Sequence, residues 1–150
     1  TAVVRVDYDY DTRTVYLKEV MYAKEMQPRD VAKAIREDME RIHCGDVLVY
    51  CDPARPEHIA ELRRYAINAV KAVNKNKAGR INYLQGFTVF YDGEDIGHEA
   101  DNYSFKPHPQ DRTQFTNEPE DGNDHLMDAA NYGAVTHLRR LGIVNDDDVR

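Results

Sequence analysis

The sequence has few cysteines and no long apolar run, and these absences narrow the class of protein. Its two cysteines, Cys44 and Cys51, have no metal-ligand spacing, so reduced thiols in a cytosolic protein are expected. No stretch approaches the roughly 18 apolar residues of a membrane helix, and no signal peptide is recognisable. At 150 residues, we expect a soluble, intracellular chain that folds as one domain.

Acidic residues are absent from one segment of an otherwise acidic chain. The net charge is −7, yet no Asp or Glu lies between Arg63 and Tyr91. Six basic residues give that segment +6 and leave −13 for the rest: Arg63, Arg64, Lys71, Lys75, Lys77 and Arg80. The net charge argues against a generic nucleic-acid coat. The asymmetry fits either a carboxylate site that faces a basic track or an ordinary solvated charged face.

The first half of the chain alternates between strand and helix patterns. Ala2–Tyr10 and Thr14–Ala23, separated by a polar turn, predict a β-hairpin, and Pro28 opens a helix with apolar residues at helical spacing up to Ile42. Three elements follow: a strand at Val47–Cys51, a helix from Pro56 with Ile59, Leu62 and Ala66 inward, and a strand at Asn68–Val73. This alternation predicts parallel pairing beside the antiparallel hairpin, in a mixed sheet with packed helices.

The pattern is weaker from residue 75 to residue 121. Lys75–Gln85 predicts a short helix, Thr88–Tyr91 a strand, and the neighbourhood of Ile96–Phe105 a short helix or strand. Prolines and polar residues then predict a long loop that ends near Asp121.

A lone carboxylate ends the most apolar strand. In Gly45–Pro53 (GDVLVYCDP), a run rich in β-branched and aromatic residues leads to Asp52, and such a run is typical of a buried strand. Ligands of open α/β sheets bind at the carboxyl ends of strands. Asp52 is therefore a candidate binding residue, and a cap for the turn before Pro53 is the alternative.

The last helix carries a histidine and a carboxylate on one side. Asp121 or Asn123 can cap it, and Gly142 ends it. Asp121 and Asp124 are expected to cap the helix and to favour its positive N-terminal dipole, near the site without binding the ion. Its predicted inner stripe consists of Leu126, Ala130, Gly133, Ala134, Leu138 and Leu141. His125 and Asp128 are three positions apart and so share a face. They predict either a site or an ordinary solvated His/Asp pair.

Two segments of the sequence resemble a known family. CDPARPEHIAELRRYAINAVKA begins at Cys51, and NEPEDGNDHLMDAANYG begins at Asn117. With the initial hairpin and Ile81–Gln85, they resemble the C-terminal nuclease domain of tailed-phage terminase large subunits. That family has a strand ending in Asp, then P…IAEL…IN-A, and later D-x-x-N/D-H-x-x-D-A-x-R-Y on the last helix. The likeness covers most of the chain.

The resemblance implies a ribonuclease H-like mixed sheet with flanking helices and two-metal endonuclease chemistry on double-stranded DNA. Carried over onto this chain, Asp52 and Asp128 are catalytic metal ligands, and His125 lies beside them in the same site. The implied cofactor is Mg²⁺ or Mn²⁺, because these hard ions prefer oxygen ligands. Candidate DNA contacts lie in the basic segment: Lys71, Lys75, Lys77 and Arg80.

The resemblance also implies a biological setting and two departures from the family. The activity would cut concatemeric viral DNA into genome lengths in the host bacterial cytoplasm, with an ATPase domain, a small terminase subunit and a portal as partners. Residues 1–150 would be one domain of a longer protein, since Thr1 opens directly into a strand. Asn131 stands where the family often has Arg. The family's first acidic ligand has no counterpart here, so its strand is expected to be missing.

Two other functions fit parts of the sequence. Asp9-Tyr10-Asp11-Thr12 resembles the D-x-D-x-T motif of aspartyl-phosphate phosphatases, in which the first Asp attacks phosphorus, although the following polar turn places it in a hairpin. The other alternative is a non-catalytic module of a packaging motor that grips DNA or partner proteins through the segment from Lys71 to Arg80.

Overall fold

The structure is a computed structural model that describes residues 1–73, 86–103, 105–119, 122 and 124–142. The strands in this part of the chain are β1 (Ala2–Asp9), β2 (Thr14–Tyr22), β3 (Val49–Cys51), β4 (Ala69–Lys71), β5 (Thr88–Asp92), β6 (Phe105–Pro107) and β7 (Phe115–Pro119). The helices are α1 (Pro28–Arg41), α2 (Pro56–Arg64), α3 (Glu94–Asn102) and α4 (His125–Arg140). None of them is both long enough and apolar enough to span a membrane.

The strands pair in both senses, as the sequence predicts. β1 and β2 form the antiparallel hairpin, and β5 joins β2 in parallel, which gives the order β1-β2-β5. β3 and β4 pair in parallel, with Val49 opposite Ala69 and Cys51 opposite Lys71. The α/β architecture with a mixed sheet is therefore confirmed.

Helices cover both faces of the hairpin. Because side chains alternate along a strand, Val4 and Val6 of β1 face one layer and Val3 faces the other. The first layer is the core under α3 and α4, formed by Val15, Leu17, Ile96, Leu126, Met127, Ala130 and Ala134. The second contains α1, α2, β3 and β4, with a core of Val31, Ala32, Ile35, Ile59, Leu62, Ile67 and Ala69. Burial of these two clusters holds the helices on the sheet.

Strands β1 and β3 pack against the same two helical layers, but within the described residues they do not pair with each other. Val3 packs against the same core as Val49 and Cys51. On the opposite side, α4 contacts both β1 and β3. Among the described residues no strand joins them, so the β1-β2-β5 and β3-β4 groups are linked through helices.

Glycine at position 133 permits the close approach of α4 to the hairpin. A Cβ atom there would lie 3.1 Å from Cγ2 of Val6, which is tighter than ordinary van der Waals contact. The packing of α4 on β1 therefore depends on a small residue at this point, which agrees with the small-residue stripe in the sequence.

Several element ends differ from the sequence prediction. The prediction of Ala66 as an inward helical residue is wrong, because α2 ends at Arg64 and Ala66 is exposed with a φ of +59°. Val47 lies before β3 and is 39% exposed, and Leu141 lies after α4 and is 45% exposed. In each case the apolar run in the sequence continues beyond the backbone element. Most of the predicted stripe of α4 is buried: Leu126, Ala130, Ala134 and Leu138.

The short helix or strand predicted near Ile96–Phe105 is confirmed as the helix α3, Glu94–Asn102. The long loop predicted after it is wrong in part, because β6 and β7 form an antiparallel hairpin in which Phe105 pairs with Pro119. Prolines at strand ends need not donate to a ladder, so they did not exclude strands here. The predicted helix at Lys75–Gln85 lies outside the described residues.

Candidate functional site

Asp52 follows β3 immediately and is exposed. Its Oδ1 accepts a hydrogen bond from the backbone N–H of Ala54 at 2.9 Å, and its carbonyl oxygen accepts one from Arg55 at 3.2 Å. These bonds form the turn that leads into α2 at Pro56. The side chain therefore caps the turn while its carboxylate stays accessible at the carboxyl end of a strand, the edge where ligands bind in α/β sheets.

One predicted DNA contact lies at the strand end that Asp52 follows. Lys71 is opposite Cys51 in the β3-β4 pair and is exposed. Arg63 has a structural contact instead, since its Nε donates to the carbonyl of Ala69 at 2.7 Å. The other three predicted DNA contacts, Lys75, Lys77 and Arg80, lie outside the described residues.

The thiol of Cys51, the residue before Asp52, is kept unreactive by its burial. Burial raises the pKa of Cys51 to about 11, against the opposing effect of the Arg63 guanidinium. Because the thiolate is the nucleophilic form and the metal-ligating form, Cys51 stays protonated at neutral pH and serves as a packing residue.

His125 and Asp128 lie in the first turn of α4. Asp124 is the residue before the helix, and its side chain makes no capping hydrogen bond, so the capping role expected of it is wrong. The cap comes from α3: the Glu99 Oε2 atom accepts the N–H groups of Leu126 at 2.8 Å and Met127 at 3.1 Å. A carboxylate suits this position because the first N–H groups of a helix lack partners within the helix.

Asp128 takes part in a chain of polar side chains. The hydroxyl of Tyr103, just after α3, donates to Oδ1 of Asp128 at 3.3 Å. The amide Nδ2 of Asn131 donates in turn to the Tyr103 hydroxyl oxygen at 3.1 Å. Asn131 is fully buried. The residue at which this chain departs from the terminase pattern is thus connected to the candidate ligand.

His125 is exposed and lies beside the end of β2. Its ring centroid is 6.4 Å from that of Tyr22, with the two planes inclined at 58°. Partial burial raises the pKa of Tyr22, and the negative charge of Glu99 adds to the effect. Tyr22 therefore remains a neutral phenol next to the imidazole.

The other end of α4 lies over β3 and the chain leaving β4. The N–H of Val73 donates to Oγ1 of Thr136 at 2.8 Å, and Tyr50 and His137 are hydrogen-bonded at 3.2 Å. Thr136 and Asp128 are eight positions apart, which separates them by about 12 Å along the helix axis at 1.5 Å per residue. The contacts with the β3-β4 pair therefore come from the second half of α4, whereas Asp128 lies in its first turn.

These groups do not complete a metal centre by themselves. Within the described residues, the His, Cys, Asp and Glu side chains form no group of three or more that could hold a metal ion. The convergence of Asp52, His125 and Asp128 stays a prediction. Their oxygen and imidazole donors are nevertheless of the kind that Mg²⁺ or Mn²⁺ accepts.

The carboxylate of Asp9 has a role in the first hairpin. Its Oδ1 accepts the backbone N–H groups of Asp11 at 2.9 Å and Thr12 at 3.3 Å. Hydrogen bonding from Thr12 is the largest cause that lowers the pKa of Asp9. The segment that resembles a phosphatase motif is thus an Asx-type turn between β1 and β2.

The layered arrangement of these elements is a ribonuclease H-like α/β fold. The same fold is found in the nuclease domains of phage large terminases, to which this chain is similar. The nuclease domain of g2p, the large terminase of bacteriophage SPP1, solved with bound Mn, superposes with a TM-score of 0.72 at 18% identity and covers 91% of this chain and 76% of that one.

Two structures of a longer terminase chain are matched over less of that chain's length. The large terminase of a thermophilic bacteriophage, in complex with ADP, gives a TM-score of 0.61 at 23% identity over 92% of this chain. A second structure of the same thermophilic-phage terminase gives 0.60 at 22% identity. This chain spans 40% of the terminase chain in either structure. No family model matches the sequence, and no curated protein matches it significantly.

Proposed function

We propose that this chain is the nuclease domain of a DNA-packaging terminase and acts as a metal-dependent endonuclease on double-stranded DNA. The observation that carries the proposal is the fold shared with the SPP1 nuclease domain over 91% of the chain. The placement of the candidate residues supports it: Asp52 follows a strand end, and Asp128 and His125 open the last helix.

Asp52, Asp128 and His125 would hold Mg²⁺ or Mn²⁺ in this proposal. Bound divalent ions would activate water and stabilise the leaving oxygen of a phosphodiester. Asp52 and Asp128 would supply negative charge and oxygen donors, while Lys71, Lys75, Lys77 and Arg80 would neutralise DNA phosphates. The carbonyl and carboxylate contacts of Asp52 within its turn hold its backbone in place.

The proposal includes an additional strand between β1 and β3. Those two strands share the same helical layers on both faces and do not pair with each other within the described residues. A strand inserted there would have to lie about 4.8 Å from each of them in order to pair with both. It would also place the family's first acidic ligand next to Asp52. Without that ligand, residues 1–150 alone should cut DNA poorly or not at all.

The wider role would be that of a terminase in a host bacterium. The chain would cut concatemeric viral DNA in the cytoplasm, together with an ATPase domain, a small terminase subunit and a portal. Its 40% share of the thermophilic-phage large terminase is compatible with a larger protein of this kind.

Plasmid nicking by a protein that carries the segment upstream of residue 1 tests the proposal. Mg²⁺- or Mn²⁺-dependent cleavage is expected, with loss on Asp52→Asn or Asp128→Asn and retention in the control Asp9→Asn.

DNA binding without cleavage would favour the non-catalytic module instead. Phosphomonoester hydrolysis lost in Asp9→Asn would favour the phosphatase alternative. Full nuclease activity from residues 1–150 alone would move the first ligand to Asp7 or Asp9.

A further inference from the structure

We propose that the outer edge of β5, with the aromatic pair Tyr16 and Phe90 beside it, binds an extended, arginine-bearing segment of a partner protein. This surface lies on the sheet face opposite α4. Val15 and Leu17 of β2 pack in the core under α3 and α4, and Tyr16 between them points the other way because side chains alternate along a strand. The proposal therefore concerns a different face from His125 and Asp128, and it does not rest on the nuclease function.

Two large aromatic rings are exposed on this face. Tyr16 on β2 lies directly opposite Phe90 on β5, and their rings stack with centroids 5.4 Å apart and planes inclined at 12°. Tyr16 is 42% exposed and Phe90 is 55% exposed. A single exposed apolar residue is ordinary on a protein surface. A stacked pair instead gives a flat aromatic surface, on which the planar guanidinium of an arginine can lie.

The aromatic pair is accompanied by two ion pairs whose carboxylates are the more exposed partners. Asp7 of β1 is in the same row as the two rings and pairs with Arg5 at 2.9 Å. Asp92 at the end of β5 pairs with Lys18 at 2.6 Å. The Asp7 side chain is 51% exposed against 24% for Arg5, and that of Asp92 is 68% exposed against 26% for Lys18. The charge that reaches solvent beside the rings is therefore mainly negative, which favours a cationic ligand over nucleic-acid phosphates.

The position of β5 favours a ligand with an extended backbone. In the part of the chain that the structure describes, β5 is the outermost strand of the β1-β2-β5 group. Of its residues Thr88–Asp92, all except Val89 are exposed. An edge strand presents N–H and C=O groups with which an added strand can pair. A segment paired there would place alternate side chains on the face of Phe90, beside the carboxylates.

The charge of β5 distinguishes a foreign segment from a second copy of this chain. Thr88–Asp92 (TVFYD) contains one acidic residue and no cation. A second β5 paired with the first would bring no positive charge to Asp7 and Asp92. An arginine on a partner segment would meet both the aromatic rings and these carboxylates.

Short synthetic peptides test the proposal on residues 1–150. The probes are five-residue peptides of threonine and valine that carry arginine, glutamine or glutamate at the centre. Each is titrated into isotope-labelled protein, and the amide chemical shifts are followed by NMR. The variants are Phe90→Ser and the double variant of Asp7→Asn with Asp92→Asn.

Two control variants match these changes elsewhere on the surface. Phe115→Ser removes a ring that is 62% exposed on β7. Asp30→Asn with Glu37→Gln removes two carboxylates that pair with cations on α1. Thermal unfolding of every variant shows whether the fold is retained.

The arginine peptide should bind more tightly than the glutamine peptide and the glutamate peptide most weakly, with the shift changes centred on β5. Phe90→Ser should weaken binding of the arginine peptide about two- to fivefold, through the loss of one cation–π contact. The Asp7/Asp92 double variant should remove most of the preference for arginine over glutamate. Both controls should bind as the wild type does.

Several outcomes would overturn the proposal. Equal affinity for the arginine and glutamate peptides, or unchanged affinity in Phe90→Ser, would do so directly. Shifts of β5 that follow protein concentration alone would assign the edge to a second copy. Tighter binding of a single-stranded oligonucleotide than of the arginine peptide, lost in Phe90→Ser, would assign the rings to nucleic acid. None of these results bears on metal-dependent cleavage, so the proposed nuclease function stands or falls separately.

Discussion

Glu99 on α3 accepts the backbone N–H of Leu126 on α4 at 2.8 Å, across 27 positions of sequence. Both residues are buried. The bond joins the start of the last helix to a helix that precedes the β6-β7 hairpin, so the segment carrying His125 and Asp128 is placed by a tertiary contact. The stability of the candidate site is therefore tied to α3.

Replacing Glu99 should lower the free energy of unfolding, because the first N–H groups of α4 would lose their hydrogen-bond acceptor. Glu99→Ala leaves the N–H groups of Leu126 and Met127 buried without their partner, and a cost of about 2–4 kcal/mol is expected for two such donors. Glu99→Gln keeps a side-chain oxygen of the same reach and should lose much less. Urea unfolding of the three proteins measures the difference. Equal stability of Glu99→Ala and the wild type would show that the cap is dispensable.

DNA binding should depend steeply on salt if the basic segment meets phosphates. Four contacts from Lys71, Lys75, Lys77 and Arg80 give a log–log slope of roughly −3 to −4, at about 0.9 per contact. Replacing Lys75 and Lys77 with Ala should make the slope shallower by roughly 2 and weaken binding equally for unrelated duplexes. Fluorescence anisotropy at several salt concentrations measures both effects.

A matched pair of cations on α1 provides the control for that experiment. Arg29 and Lys33 lie near Asp30 and Glu37 respectively, and their replacement by Ala removes the same charge from another surface. The salt slope should then stay at the wild-type value. An unchanged slope in the Lys75/Lys77 variant would show that the basic segment is only a solvated face.

The Cys51 thiol should resist alkylation at neutral and mildly alkaline pH. Its pKa of about 11 leaves little thiolate below pH 9. Since the folded-state pKa is raised above the ordinary value of 9.0, stability from the neutral thiol is fully present below pH 9 and is lost as pH rises towards 11. Iodoacetamide kinetics in Cys44→Ser measure Cys51 alone. Rapid modification at pH 8 with the fold intact would contradict this expectation.

His137 should favour its neutral form in the folded protein. Burial lowers the pKa of His137, and the charge of Arg140 lowers it further. The contribution to stability is therefore present above the ordinary value of 6.5 and is lost as pH falls through the lower folded-state pKa. An NMR titration should give a midpoint below 6.5, and Arg140→Gln should raise it. A midpoint at or above the ordinary value would contradict the lowered pKa expected for His137.

Local patterns predicted the elements whose signals lie within one segment of sequence. Alternation identified the β1-β2 hairpin, and apolar spacing identified the buried side of α4 at Leu126 and Ala130. Both depend on periods that a single element displays by itself. Asp52 was identified as the end of an apolar strand for the same reason.

Tertiary contacts explain what local patterns did not reveal. Glu99 and Tyr103 form hydrogen bonds with residues of α4 that are 25 or more positions away in sequence. Nothing near Glu99 or Tyr103 in the sequence indicates these contacts. The β6-β7 hairpin was hidden by its prolines, because they break the usual strand signal. The predicted convergence of Asp52 and Asp128 would also depend on long-range contacts, because the two residues are far apart in sequence.

The separation of β1 from β3 has a consequence for cooperativity. In the part of the chain that the structure describes, backbone hydrogen bonds connect strands within each of the two groups, whereas side-chain packing of the flanking helices connects one group to the other. Unfolding of one group is thus communicated to the other through helical packing, which is sensitive to the loss of single methyl groups. A truncation on the inner side of α4 should therefore split one unfolding transition into two, with amide hydrogens of the β3-β4 pair exchanging before those of the hairpin.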